Sequence, residues 1–172
     1  YIPLANSLIN QCRLHQQQNQ RNNHHNYQQG APFFVGLTGC QGSGKSTLAK
    51  FLACYFNDQK HLSVAVLSLD DFYLSKAKRQ LLASQVHPLL QTRGVPGTHD
   101  IELLTDTLNQ LANSKNNGKS IYLPRFDKAK DQPLPKRLWP KITAAIDIVI
   151  FEGWCWGISA QTPQDLNLAI NK

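Results

Sequence analysis

Apolar and polar positions along the chain separate into short apolar runs and stretches with helical spacing. Residues 1–14 carry Leu4, Leu8, Ile9 and Leu14 at intervals that predict an amphipathic helix. Residues 15–30 are mostly Gln, Asn and His, either a polar continuation of that helix or a linker. Residues 33–38 read as a short buried strand. Leu48, Phe51, Leu52, Tyr55 and Phe56 then recur at helical spacing. A second apolar run at 62–69 predicts a strand, 75–86 a short helix rich in Lys, Arg and Gln, and 87–99 a long Pro- and Gly-containing loop. Leu103, Leu104, Leu108 and Leu111 form the stripe of a helix over 101–112. After a turn at 113–119 comes an extended piece at 120–123, a proline-punctuated polar loop at 124–141 and a third buried strand at 145–151.

Runs rich in Val, Ile and Leu that alternate with helices predict an α/β fold, with a parallel sheet covered on both faces. Ligands of such sheets bind beyond the carboxyl ends of the strands. All three runs end in residues with chemistry: the glycine-rich loop after Thr38, the Asp70-Asp71 pair, and Glu152. A chain of 172 residues can bury a real core as one domain. We read 1–30 as an N-terminal helix and polar tract, and 31–172 as the folded domain. Two features suggest that the sequence is incomplete, with a C-terminal part of the domain lying outside it. The chain has no Met, and it stops at Lys172 just inside a helix announced by Thr162-Pro163-Gln164-Asp165.

The net charge of +7 is compatible with nucleic acid or with a phosphate-handling cleft. Lys and Arg are scattered or sit in loops, with no long basic run and no aromatic-interleaved stripe, which argues against a nucleic-acid partner. Cys12, Cys40, Cys54 and Cys155 show no C-x-x-C pairing; Cys54 is expected on the apolar face of its helix, and all are expected as reduced thiols. His24 and His25 lack ligand partners at metal spacing and belong to the polar tract. No run of 18 apolar residues occurs. The expectation is a soluble, cytoplasmic protein with no membrane partner.

Residues 39–46 read Gly-Cys-Gln-Gly-Ser-Gly-Lys-Ser, a complete G-x-x-x-x-G-K-[ST] phosphate-binding loop between a strand and a helix. Glycines 39, 42 and 44 let the chain bend and approach an anion closely. Gly39, Cys40, Gln41, Gly42, Ser43, Gly44, Lys45, Ser46 and Thr47 form the candidate nucleotide site. Lys45 supplies a point charge to the β/γ-phosphates and the Ser46 hydroxyl can ligate Mg²⁺.

Glu152 follows an apolar strand, where it can hold Mg²⁺ directly or through water, or merely cap a turn. Asp70 and Asp71 are adjacent, so their side chains diverge. One is expected to face the γ-phosphate and accept or orient a proton, and the other to cap the next turn. Arg93-Gly94-Val95-Pro96-Gly97-Thr98-His99-Asp100 is a rigid loop with a cation, a hydroxyl and an imidazole. Asp100 has the position of an N-cap, and His99 is equally compatible with a structural role and with facing substrate. Leu123-Pro124-Arg125-Phe126-Asp127-Lys128 is a second loop of this kind, solvated or anion-binding. Two arginine-bearing loops beside a phosphate loop favour a small anionic substrate.

Together these residues resemble the phosphoribulokinase, uridine kinase and pantothenate kinase group, and more closely the ATP-dependent D-glycerate 3-kinase family. The resemblance is carried by GCQGSGKST at 39–47, SLDDFYL at 68–74, HPLLQTRGVPGTHD at 87–100, LPRFDKAKDQ at 123–132 and FEGWCWG at 151–157. It implies a P-loop NTPase fold of the nucleoside-kinase type, a three-layer α/β sandwich whose last strands, lid and adenine-contacting segment would follow Glu152. ATP and Mg²⁺ are the implied cofactors. The resemblance makes Asp70 the catalytic base and Glu152 the metal-side acid that works with Ser46, while Lys45 and the loop amides neutralise the transferring phosphoryl group. Asp71, Tyr73, Arg93, Thr98, His99, Arg125 and Lys128 are then the candidates to hold a glycerate-like acceptor, with Arg93 and Arg125 clamping its carboxylate. The alternatives are a kinase of the same group with another acceptor, such as pantothenate or a nucleoside, and a nucleotide-binding module that has lost catalysis.

Overall fold

The computed structural model describes residues 1–21, 30–159, 161, 162 and 164. His24 and His25, and most of the helix expected after Thr162, lie outside the described residues. The chain opens with α1 (Ile2–Arg21), β1 (Phe33–Thr38), α2 (Lys45–Lys60) and β2 (Val64–Ser68). It continues with α3 (Lys76–Gln85), α4 (Ile101–Ala112), β3 (Ile121–Tyr122), β4 (Phe126–Asp127), β5 (Gln132–Pro133), β6 (Lys141–Ile142) and β7 (Ile148–Gly153).

The main sheet is parallel in the order β1-β7-β2. Its central strand is the last of the described strands in sequence, and every residue of it is buried. A strand covered on both faces needs apolar side chains at consecutive positions, which is why Ile148 to Phe151 reads as a continuous run. Successive side chains still alternate between faces. Ile148 and Ile150 pack with Val35, with Ala5, Ile9 and Cys12 of α1, and with Ala49, Leu52 and Phe56 of α2. Val149 and Phe151 pack on the other side with Ala65, Leu67, Phe72, Leu104 and Leu111. The molecule is therefore a three-layer α/β sandwich.

The register brings the chemistry together. Leu37 and Ser68 both pair with Glu152, so β1, β7 and β2 reach their carboxyl ends at one level. The phosphate loop leaves β1 there, and Leu69–Phe72 leaves β2 there as a 3-10 turn with Ser68 Oγ accepting from the Asp70 amide at 3.3 Å.

α1 continues to Arg21, the helical one of the two readings offered for the polar tract. Other details differ from the sequence reading. The third strand begins at Ile148 rather than Ala145 and includes Glu152; Asp147, just before it, accepts from the Ser63 amide and from Lys115. The segment 124–141 is not a plain loop: β4 pairs with β5 and β6 with β3, both antiparallel. Strands of two residues are too short to display a period. Cys54 is exposed rather than on the apolar face of α2, whose buried positions are Ala49, Leu52 and Phe56.

Candidate active site

The phosphate loop turns on two glycines in the left-handed region, Gly42 (φ 78°) and Gly44 (φ 84°). Gly39 must be bare for a different reason: a Cβ there would lie 2.9 Å from Ser43 Oγ. Gly44 is the N-cap of α2 and offers no side-chain cap, so the first-turn amides keep their donors for an anion. Lys45 Nζ donates to the Cys40 carbonyl at 2.7 Å, which folds the lysine over the loop it belongs to. These are the features that a polyphosphate fits: bare backbone donors, a helix N-terminus and one cation.

Ser46 Oγ donates to Glu152 Oε1 at 2.8 Å, and Glu152 is only 6% exposed. A hydroxyl and a buried carboxylate in contact beside a phosphate cradle form an oxygen pair suited to Mg²⁺. Gly153 keeps this corner tight. A Cβ at Gly153 would come within 2.6 Å of Trp156 Nε1 and 3.0 Å of Leu69 Cβ. The Trp156 ring lies against Phe151, with centroids 3.7 Å apart.

The two aspartates diverge. Asp70 lines the cleft, where its Oδ2 accepts from Lys128 Nζ at 2.6 Å. Asp71 turns away and accepts from Arg125 Nη1 and the Phe126 amide, both at 3.2 Å. Burial pushes the Asp71 carboxyl above its usual range, and the Arg125 charge only partly offsets this. Tyr73 lies between the loops, its ring stacked on His99 at 4.4 Å and edge-on to Phe126 at 5.6 Å. Its hydroxyl is pushed well above the ordinary range by burial and by the neighbouring Asp70 carboxylate.

Beyond the phosphate loop, an open cleft of about 800 Å³ is walled by Asp70, Tyr73, Arg93, Lys128, Glu152 and Trp154, with Gly39 to Gly42, Lys45 and Ser46 on the facing side. Ser43, Gly44 and Thr47 lie in the loop and the first turn but not on this wall. Nor do Thr98, His99, Asp71 and Arg125 reach it. The Thr98 hydroxyl is fully buried and donates to the Val95 carbonyl at 2.6 Å, which holds the glycine loop in shape. His99 is buried against Tyr73, and that burial lowers its pKa despite the Asp70 charge. Asp100 caps α4 by accepting from the Leu103 amide at 3.0 Å.

Residues 34–170 match the model of the Phosphoribulokinase / Uridine kinase family. The chain belongs to this family. Among its relatives, an uncharacterized kinase of Schizosaccharomyces pombe, mug58, is 41% identical over 139 residues, covering 75% of this chain and 48% of that protein. The chloroplastic D-glycerate 3-kinase of Arabidopsis thaliana is 32% identical over 147 residues, covering 81% of this chain and 32% of that protein. The solved structure of D-glycerate 3-kinase from Cryptococcus neoformans var. grubii superposes with a TM-score of 0.77 at 30% identity, over 95% of this chain and 56% of that one. The chain spans about half or less of the length of these curated relatives. Its fold is the P-loop kinase fold of the family.

The site also contains residues that the sequence did not single out. Asp131 Oδ1 accepts from Arg93 Nη1 at 2.7 Å, and Asp131 Oδ2 from the buried Arg79 Nη2 at 2.5 Å. Trp154 is on the cleft wall. Asp131 sits inside the string LPRFDKAKDQ and Arg79 among the charged residues of α3, where nothing local distinguishes either from a solvated charge.

Proposed function

We propose that this chain carries the phosphoryl-transfer site of an ATP-dependent kinase acting on a small hydroxy acid, D-glycerate being the acceptor that the relatives favour. The observation that carries the reading is the convergence in one cleft of Lys45, the Ser46–Glu152 pair and Asp70 with the cations Arg93 and Lys128. The setting suits a reducing cytoplasm, since Cys12, Cys40, Cys54 and Cys155 are free thiols.

In this reading Lys45 swings from the Cys40 carbonyl to the transferring phosphoryl group, where it and the loop amides neutralise developing charge. Ser46 and Glu152 would hold Mg²⁺, which when bound screens the phosphate oxygens from one another. Asp70 releases Lys128 and accepts the proton of the acceptor hydroxyl as its oxygen attacks. Tyr73, buried beside Asp70, keeps that carboxylate aimed at the cleft. Arg93 takes the acceptor carboxylate, and Lys128, once free of Asp70, pairs with the same anion. Arg125 supports the site through Asp71 and the Phe126 amide, and Thr98 and His99 shape the loop that presents Arg93.

A nucleoside kinase reading draws on a uridine kinase from Alkaliphilus metalliredigens that is 32% identical over 127 residues. An acceptor without a carboxylate would make little use of Arg93. The test is ADP release from Mg·ATP with D-glycerate, L-glycerate, pantothenate, uridine and no acceptor in parallel. Stimulation by D-glycerate alone, abolished in Arg93→Ala at low acceptor concentration, supports the proposal. Stimulation by uridine alone, indifferent to Arg93→Ala, overturns the substrate assignment.

A further inference from the structure

Arg79 projects from α3 and is 1% exposed. A guanidinium in that setting is stable only with a counter-charge, and removal of the counter-charge is heavily destabilising. Among the described residues its ion-pair partner is Asp131, and its Nε is buried with no hydrogen-bond partner. Asp131 thus has a fixed address on one side. Its other oxygen meets Arg93. Asp131 also adopts φ 54°, in the left-handed region, at the end of the β4–β5 turn, directly before β5. Aspartate tolerates that conformation better than most residues, and here it is what presents the carboxylate to both arginines.

Arg93 is constrained at one nitrogen only. Its hydrogen bonds among the described residues all leave from Nη1, to Asp131 and to the Lys128 carbonyl at 3.1 Å. The guanidinium lies over the Phe126 ring, 5.9 Å from its centroid. The planar group is therefore pinned along one edge while the Nε and Nη2 side remains for a bidentate contact. Two arginines sharing one carboxylate also leave one net positive charge beside the cleft. Hydrogen bonds from both arginines hold the Asp131 carboxyl below its usual range against the opposing effect of burial, so it stays ionised at neutral pH.

We propose that Asp131, anchored by buried Arg79, is a positioning residue that fixes the edge of Arg93 with which the enzyme recognises the carboxylate of its acceptor. The inference rests on the kinase reading above, in which Arg93 meets the acceptor. It makes specificity for a carboxylate-bearing substrate depend on a pair of residues, one of which never touches the cleft.

The experiment compares KM for D-glycerate and KM for ATP in the parent protein, Arg93→Ala, Asp131→Asn and the double variant, with thermal unfolding of each. The expected result is a rise of roughly tenfold in acceptor KM for each single variant, no change in ATP KM, and a double variant no worse than Arg93→Ala. Asp131→Glu recovers part of the loss. If Asp131→Asn does not fold, Arg79→Met combined with Asp131→Asn removes the buried charge, and the same KM comparison is made on that background. If the parent shows no turnover, D-glycerate binding is titrated calorimetrically with a non-hydrolysable ATP analogue present, and the same pattern is expected in Kd. A lowered unfolding temperature with unchanged acceptor KM or Kd for Asp131→Asn, or additive effects in the double variant, would overturn the positioning role alone. An unchanged value for Arg93→Ala, or no D-glycerate binding by the parent, would remove the kinase reading and the inference together.

Discussion

Between Gly39 and Ser46 the wall of the cleft is mostly backbone, bent by glycines and backed by the first turn of α2. Across from it the wall is made mostly of side chains, among them Asp70, Tyr73, Arg93 and Lys128, and is tied through Arg93 to Asp131 and Arg79 behind it. A backbone wall is specified by a few contiguous residues and recognises what every nucleoside triphosphate shares. A side-chain wall depends on charge balance among distant segments and can be retuned for one acceptor. That division suits a family whose relatives carry the names of different kinases.

The comparison is broken most severely at the residue where the halves meet. Asp70→Asn is expected to lower turnover by about 10²–10⁴-fold while leaving ATP affinity within about twofold, measured as ADP release and by titration of an ATP analogue. On the backbone side, Lys45→Ala is expected to lower turnover by about 10²–10³-fold without raising acceptor KM. A parallel rise in acceptor KM would show that the two walls are not separable.

Gly153→Ala sharpens the boundary between them. The added methyl would meet Trp156 Nε1 and Leu69 Cβ, so Trp156 must move. A loss of about 1–3 kcal/mol in urea unfolding is expected, with the Trp156 fluorescence altered. The smallest effect concerns His99 on the acceptor side. Burial lowers its pKa from 6.5, so below that pH the unfolded chain takes up a proton that the folded chain refuses. Its contribution to stability is therefore complete above about pH 6.5 and falls as pH drops toward the folded value. Unfolding midpoints measured from pH 8 to pH 5 are expected to decline more in the parent than in His99→Gln.

What could be read from the sequence follows the same division. The phosphate loop is legible because its residues are contiguous and their conformational demands are local. The apolar run at 145–151 announced a buried strand, and Asp100 and the leucine stripe marked α4. The pairing of Arg79 with Asp131 spans 52 residues and leaves no local trace. The same is true of Asp71 with Arg125, 54 residues apart, which draws that arginine off the cleft wall. The β1-β7-β2 order is set by packing across both faces rather than by any one segment. Trp156 looks like any apolar residue until its contact with Gly153 is seen.

The central claim is transfer of a phosphoryl group from ATP to a hydroxyl of D-glycerate within this cleft. Phosphorus NMR of Mg·ATP, D-glycerate and the protein follows the group directly. The account predicts a phosphomonoester resonance that grows as the γ-phosphate resonance falls, and that is absent with Asp70→Asn. Orthophosphate as the sole new resonance, or no loss of the γ-phosphate, would contradict it.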